Sequence, residues 1–226
     1  MNGEDSTIPE CVPIFPLPEV VLFPRAVLPL HIFEPRYVEM TSDALAGNSV
    51  IAISLLKEGF QPVYYSRRAP IHAVVCVGRI VASERVSNGK YNILLRGESR
   101  ARIVKEFSGR AYRRAEVERL PTSSRAPKRR LAALRKSLRD MIRDNDAADP
   151  ATADNWKQLF DAHLPLGDVA DVIASGLPVI AELRQCLLSE PDAPTRAKML
   201  LEHMRTLAAL DRCQRRASHG GDWAMN

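Results

Sequence analysis

An α+β fold is predicted for this chain of 226 residues, with a bent sheet or small barrel first and a helical bundle after it. Three observations predict it. Up to about residue 120 the apolar residues come in short β-branched runs separated by turn residues, a strand pattern. The stretch PTSSRAP, residues 121–127, then interrupts every periodicity. Beyond it, apolar residues recur at three- and four-residue spacings, which is the pattern of helices with one buried face.

The first element is unusual. PIFPLPEVVLFPRAVLPLHIFEPRY, from Pro13 to Tyr37, is apolar yet carries Pro13, Pro16, Pro18, Pro24, Pro29 and Pro35. Proline has no backbone donor and a fixed φ, so these residues mark edges, bulges and turns between short extended pieces. A membrane helix is excluded, because no run approaches the roughly 18–20 uninterrupted apolar residues that a span needs. Pro35 to Ala46 reads as a helix, with proline early and Gly47-Asn48 as the stop. VIAISLL (50–56) is a strand, followed by a Gly59-Phe60-Gln61-Pro62 loop. AVVCVGRIVASERV (73–86) is a long strand with Gly78 at a bulge. Asn88-Gly89 is a strong hairpin signal, and YNILLRG, ARIVKEF and RAEVERL complete the set as separate strands.

After the linker, Leu131, Leu134, Leu138, Met141 and Ile142 share one helical face, with basic residues opposite. Trp156, Leu159, Phe160 and His163 mark a shorter helix and Val169 to Ala174 another. A fourth starts at Pro178 in LPVIAELRQCLL. PDAPTRAKMLLEHMRTLAAL closes the bundle, with Asp192 as its cap and Leu200, Met204 and Leu207 as its seam. The expected organisation is a flexible start at 1–11, a β-rich part at 12–120, a linker at 121–127, a helical part at 128–212 and a flexible tail at 213–226.

Charge is concentrated rather than general. Arg125, Lys128, Arg129, Arg130, Arg135, Lys136, Arg139 and Arg143 face Asp140 alone over residues 125–143, a local excess larger than the whole chain's +5, so the remainder is slightly acidic. The segment 128–143 has no interleaved aromatic residue for stacking on nucleotides. A solvated face is the plain reading; docking an acidic partner or gripping phosphates are the alternatives. Cys11, Cys76, Cys186 and Cys213 lie far apart, with no C-x-x-C and no histidine at ligand spacing, so no metal site and no disulfide framework is expected. MNGEDSTIPE lacks the basic and apolar regions of a signal peptide, and a cytoplasmic, reduced protein is expected.

The opening run contains P-L-x-x-V-V-x-F-P-x-x-x-x-P-L between Pro16 and Leu30 and resembles the start of the Lon protease amino-terminal domain family; its HIFEPRY ending is closer to the family's free-standing bacterial members. LLRGESRARIV (94–104) is similar to the family's G-x-x-R-F-x-I strand pair, and LRQCLLSEPDAPTRAKMLLEHM to its helical hairpin. One departure is Ala101, where the family has an aromatic residue. The resemblance implies a barrel of the type associated with pseudouridine synthases (PUA-like). It also implies a substrate-recognition module, which in Lon binds polypeptides with exposed apolar segments and delivers them to an ATPase ring.

No G-x-x-x-x-G-K-[ST] occurs, so no backbone cradle for a triphosphate is expected. Lys105 and Ser108 sit at a strand end in a charged stretch, a poor setting for a Ser-Lys dyad. The expected role is therefore non-catalytic, an adaptor or regulator with no cofactor, whose partners are unfolded or partly folded polypeptides, together with a protease or chaperone. Its apolar groove is expected to involve Val21, Phe23, Leu28, Leu30, Phe33 and Tyr37, with Arg36, Arg96 and Arg100 as a polar rim. Arg96, Glu98, Arg100 and Arg102 otherwise read as a solvated ion-pair ladder, His31 as a packed strand residue, and Glu34 with Arg36 as a helix-start pair. A nucleic-acid binder using the barrel and the helix 128–143 is the alternative, and a small-molecule binder a third class.

Overall fold

The structure, a computed structural model, describes residues 8–145, 150–176 and 178–219. It divides into two compact units, residues 1–122 with 171–191 and residues 123–170 with 192–226. The first holds β1 (Val12–Leu17), β2 (Val27–Ile32), helix α1 (Pro35–Ala46), β3 (Val50–Leu55), β4 (Val74–Arg85), β5 (Tyr91–Phe107) and β6 (Arg113–Arg119). Helices α2 (Lys128–Asn145) and α3 (Pro150–Asp161) lie in the second, and α4 (Leu166–Gly176) contains one of the divisions. Helix α5 (Ala181–Ser189) belongs to the first unit and α6 (Ala193–His219) to the second.

The strands form one mixed sheet in the order β2-β5-β4-β3-β1-β6, and β5 also pairs with β6. That extra pairing closes β1, β3, β4, β5 and β6 into a small barrel. It is made possible by the length of β5, which pairs with β4 over residues 91–102 and with β6 over residues 101–107. The two strands expected as YNILLRG and ARIVKEF are thus one strand of 17 residues. The barrel interior is filled by Val12, Ile14, Val50, Ala52, Val75, Val77, Ala101 and Ala115. Small side chains at three of these positions suit so narrow a barrel. Ala101, the departure noted above, is fully buried among them.

Local chemistry explains most boundaries. Asn88 and Gly89 have φ of 70° and 74°, the left-handed pair that a tight hairpin between β4 and β5 needs. The register between those strands shifts at Val77/Gly78, the expected bulge, and again at Ile80/Ala82. Pro35 opens α1 as its first residue, after Glu34 in extended conformation. Helix α5 begins at Ala181 rather than Pro178, because Pro178 to Ile180 are not helical and Ile180 is extended with ψ of 152°.

Residues 171–191 are held to the sheet by polar bonds. Arg100 of β5 is 2% exposed and forms a buried ion pair with Asp171 through both terminal nitrogens, while its Nε donates to the Leu188 carbonyl at 2.9 Å. Gln185 Nε2 donates to the Val74 carbonyl at 2.9 Å. These bonds are why the helical stretch expected as one part over 128–212 divides between the units.

In the second unit α2 packs on α6, with Leu138 and Ile142 buried on the former and Ala197, Leu200, Leu201 and Met204 on the latter. Asp192 caps α6 as expected, its Oδ2 accepting from the Thr195 amide at 3.1 Å and the Thr195 hydroxyl at 2.8 Å. The tail expected from residue 213 is helical through His219; residues 220–226, like residues 1–7 of the expected flexible start, lie outside the described residues.

Candidate functional site

β2 is an edge strand, paired with β5 on one side and with no strand on the other among the described residues. An edge presents unpaired backbone groups to anything extended that approaches it. The loop that leads into β2 is fixed by its backbone. Arg25 N donates to Gly97 O and Gly97 N to Ala26 O, each at 2.8 Å. A Cβ at Gly97 would lie 2.0 Å from the Phe23 carbonyl oxygen, so glycine is required there for space. Glu19 and Arg25 turn the loop with φ of 58° and 68°.

Because side chains alternate across a strand, β2 has two faces. Leu28, Leu30 and Ile32 stand opposite Leu95, Ile93 and Tyr91 on the inner face, while Val27, Pro29 and His31 stand opposite Arg96, Leu94 and Asn92 on the outer one. The outer face continues onto β4, where Arg79, Ala82 and Glu84 stand opposite the same three residues of β5. Three rows therefore cross the strands. Val27, Arg96 and Arg79 form the first, Pro29, Leu94 and Ala82 the second, and His31, Asn92 and Glu84 the third. Consecutive rows lie about 7 Å apart, two residues along a strand.

An open groove of about 540 Å3 runs over the second and third rows. The second row is apolar and exposed, with Leu94 at 41% exposure, and Val27 at 53% and Phe33 at 58%, at the start of β2 and just past its end, add exposed apolar surface. The third row is a hydrogen-bonded chain. Asn92 Nδ2 donates to Glu84 Oε2 at 3.3 Å and its Oδ1 lies 2.7 Å from His31 Nδ1. With the amide so oriented, His31 Nδ1 carries the proton that is donated to Asn92. The imidazole also stacks on Phe33, with ring centroids 6.0 Å apart. At the opposite end Glu98 bonds Arg79 at 2.7 Å and lies 3.9 Å from Arg96.

The structure places the expected groove residues differently from one another. Phe33 is exposed beside the groove, Leu30 lines it, and Leu28 is half-buried on the inner face. Val21, Phe23 and Tyr37 belong to the core. Phe23 is pinned over Gly97, and Tyr37 packs on Phe15 with ring centroids 4.3 Å apart; burial raises the Tyr37 phenol's pKa well above the tyrosine range. Of the rim, Arg96 is on the outer face. Arg36 instead lies over the Tyr37 ring at 4.5 Å and pairs with Glu34 at 2.9 Å, and Arg100 is the buried partner of Asp171. Glu34 makes no side-chain cap to α1; it bonds Arg36 and the Tyr64 hydroxyl, and burial first, then Glu34, raises the Tyr64 pKa. His31 is exposed rather than packed.

Val27, Pro29, His31, Leu94, Ala82 and Glu84, which stand on this outer face, are not among the expected groove residues, although one signal in the sequence points to half of them. In VLPLHIF the more apolar alternate set is Leu28, Leu30 and Ile32, so it faces inward, and the other set is the accessible one.

The basic segment of α2 is partly spoken for within its own unit. Arg135 donates to the carbonyl of Phe160 in the last turn of α3 and to that of Leu164 just beyond the helix, and Arg139 lies over the Phe160 ring at 5.2 Å. Lys136 pairs with Asp140 at 3.1 Å. Among the described residues no group of three His, Cys, Asp or Glu could hold a metal, and no helix is long and apolar enough to cross a membrane.

A family model, the ATP-dependent protease La (LON) substrate-binding domain, matches residues 11–206. The chain belongs to this family. Lon protease 2 of Sorangium cellulosum is 29% identical over 195 residues, 85% of this chain and 24% of that protein, and Lon protease 2 of Myxococcus xanthus is 26% identical over 202 residues, 89% and 24%. The chain thus spans about a quarter of the length of the curated relatives it matches. In fold it is similar to the N-terminal domain of the Mycobacterium avium complex Lon protease, with a TM-score of 0.65, 22% identity and coverage of 86% of this chain and 98% of that one. A Lon N-terminal domain protein from Xanthomonas campestris gives 0.62, with 24% identity and coverage of 85% and 97%.

Proposed function

We propose that this Lon-family chain is a non-catalytic polypeptide-recognition module and that the outer face of β2, β5 and β4 is where it holds an extended segment. The observation that supports this reading is the combination of an edge strand with an exposed apolar row, Pro29, Leu94 and Ala82, that lines an open groove. Backbone groups of the edge supply affinity that does not depend on sequence, and the apolar row favours segments that a folded client would bury. Such a site suits many clients held weakly. The module acts in the cytoplasm as an adaptor or regulator that presents clients to a protease or chaperone.

Titration of the purified chain with a permanently unfolded, fluorescently labelled polypeptide tests it. Saturable binding is expected, weakened about tenfold or more by Leu94→Asp, which places a charge in the apolar row. No binding up to about 500 µM, a free energy near 4.5 kcal/mol, would overturn the proposal.

A further inference from the structure

On this face the first and third rows, which flank the apolar second row, carry opposite charge, and the groove covers the second and third. Glu84 is the only carboxylate of the third row, and among the described residues it has no ion-pair partner; its bond is to the neutral Asn92 amide. At the other end two guanidiniums, Arg79 and Arg96, share one carboxylate, Glu98, which leaves that end with a net positive charge. The apolar row lies between them. Each end is about 7 Å from Leu94, and two residues of an extended peptide span the same distance.

We propose that this three-row face, the groove together with the adjoining first row, selects dipolar segments, in which an apolar side chain is flanked two residues away by a cation on one side and an anion on the other. The cation meets Glu84 and the anion meets Arg96 and Arg79. This proposal rests on the polypeptide-recognition reading and adds a charge pattern to it. The occupant is set by charge complementarity: a uniformly acidic segment meets Glu84 with like charge, and a uniformly basic one meets Arg96 and Arg79 with like charge. His31 matters here through Asn92. Its Nδ1–H holds the Asn92 amide from one side as Glu84 holds it from the other, so the carboxylate is positioned rather than free to swing away.

The test uses four labelled peptides of equal length and otherwise identical sequence, with a central leucine. The residues two positions before and after it are Lys and Glu, Glu and Lys, Lys and Lys, or Glu and Glu. Both dipolar orders are needed, because the chain direction of the bound segment is not fixed by the face. One dipolar peptide is expected to bind the full chain about three- to fivefold more tightly than either uniform peptide at low salt, the size of an exposed charge contact. Glu84→Gln keeps the acceptor for Asn92, so the row stays folded; it is expected to remove at least half of that preference and to strengthen binding of the Glu and Glu peptide, whose like-charge contact is gone. Equal binding of all four peptides, with loss of all binding in Leu94→Asp, would overturn the charge selectivity and leave the recognition reading standing. An unchanged preference in Glu84→Gln would also overturn it. No binding of any peptide, or of the unfolded polypeptide, would overturn the reading on which it rests.

Discussion

Replacing Gly97 by alanine should disturb the edge strand more than any other single methyl added to the barrel's outer end. The new Cβ would stand 2.0 Å from the Phe23 oxygen and 2.8 Å from its carbonyl carbon, backbone atoms that cannot rotate away. Ordinary contact needs more than 1 Å of extra separation, so the loop entering β2 must lift. That movement breaks the two 2.8 Å bonds between Gly97 and the Arg25 and Ala26 backbone. Each such bond contributes about 1 kcal/mol and overpacking costs about 1–3 kcal/mol, so the expected loss is about 3–5 kcal/mol. For a chain of this size that corresponds to a fall of about 10 °C in Tm. Gly59→Ala is the matched control, with φ of +80° and nothing within 4 Å of its Cβ; strain alone should cost about 1 kcal/mol there. Urea unfolding followed by circular dichroism measures both. A Gly97→Ala loss no greater than that of Gly59→Ala would refute the claim that the Phe23 backbone seats on Gly97.

Two further perturbations report on the rest of the molecule. Arg100→Met leaves Asp171 buried without its guanidinium and should cost about 3–5 kcal/mol, much of it recovered in Arg100→Met with Asp171→Leu, where both charges are gone; single and double variants of equal stability in urea would contradict this. Asp192→Ala removes the cap of α6 and should cost about 1–2 kcal/mol at neutral pH. Bonds from the Thr195 hydroxyl and amide and the Ser123 hydroxyl hold the Asp192 carboxyl's pKa below the usual range. A depressed carboxylate stabilises above its unfolded pKa of about 3.9 and stops doing so as pH falls through the folded value. The Tm gap between wild type and Asp192→Ala should accordingly be full at pH 7 and narrow below about pH 4; a gap that widens in acid would reverse the assignment.

Elements whose signals are local were legible in the sequence. Asn88-Gly89 and Gly78 announce a hairpin and a bulge because their backbone requirements are met by their own residue types. Asp192 announces a cap for the same reason. What stayed hidden depends on partners far along the chain. Gly97 reads as a break between two strands, yet β5 runs straight through it, because the glycine makes room for Phe23 and not for a turn. Arg100 alternates with neighbours in the manner of a surface ladder, and only Asp171, 71 residues away, reveals that its face is covered. The candidate site was legible only in part. The opening segment supplies its edge strand, but the segment's largest side chains, Phe23 and Tyr37, are core for the same reason that they attract notice. Val27, Pro29 and His31 are accessible because they are the less apolar alternate set.

Backbone amide exchange, followed residue by residue in the free and polypeptide-bound chain, tests the recognition account most directly. Binding along the outer face and edge of β2 should protect the amides of β2, with smaller changes at Asn92 to Arg96 and none in the α2 and α6 helices. Protection confined to those helices, or to the loop carrying Tyr64 and Tyr65, with β2 unchanged, would contradict it.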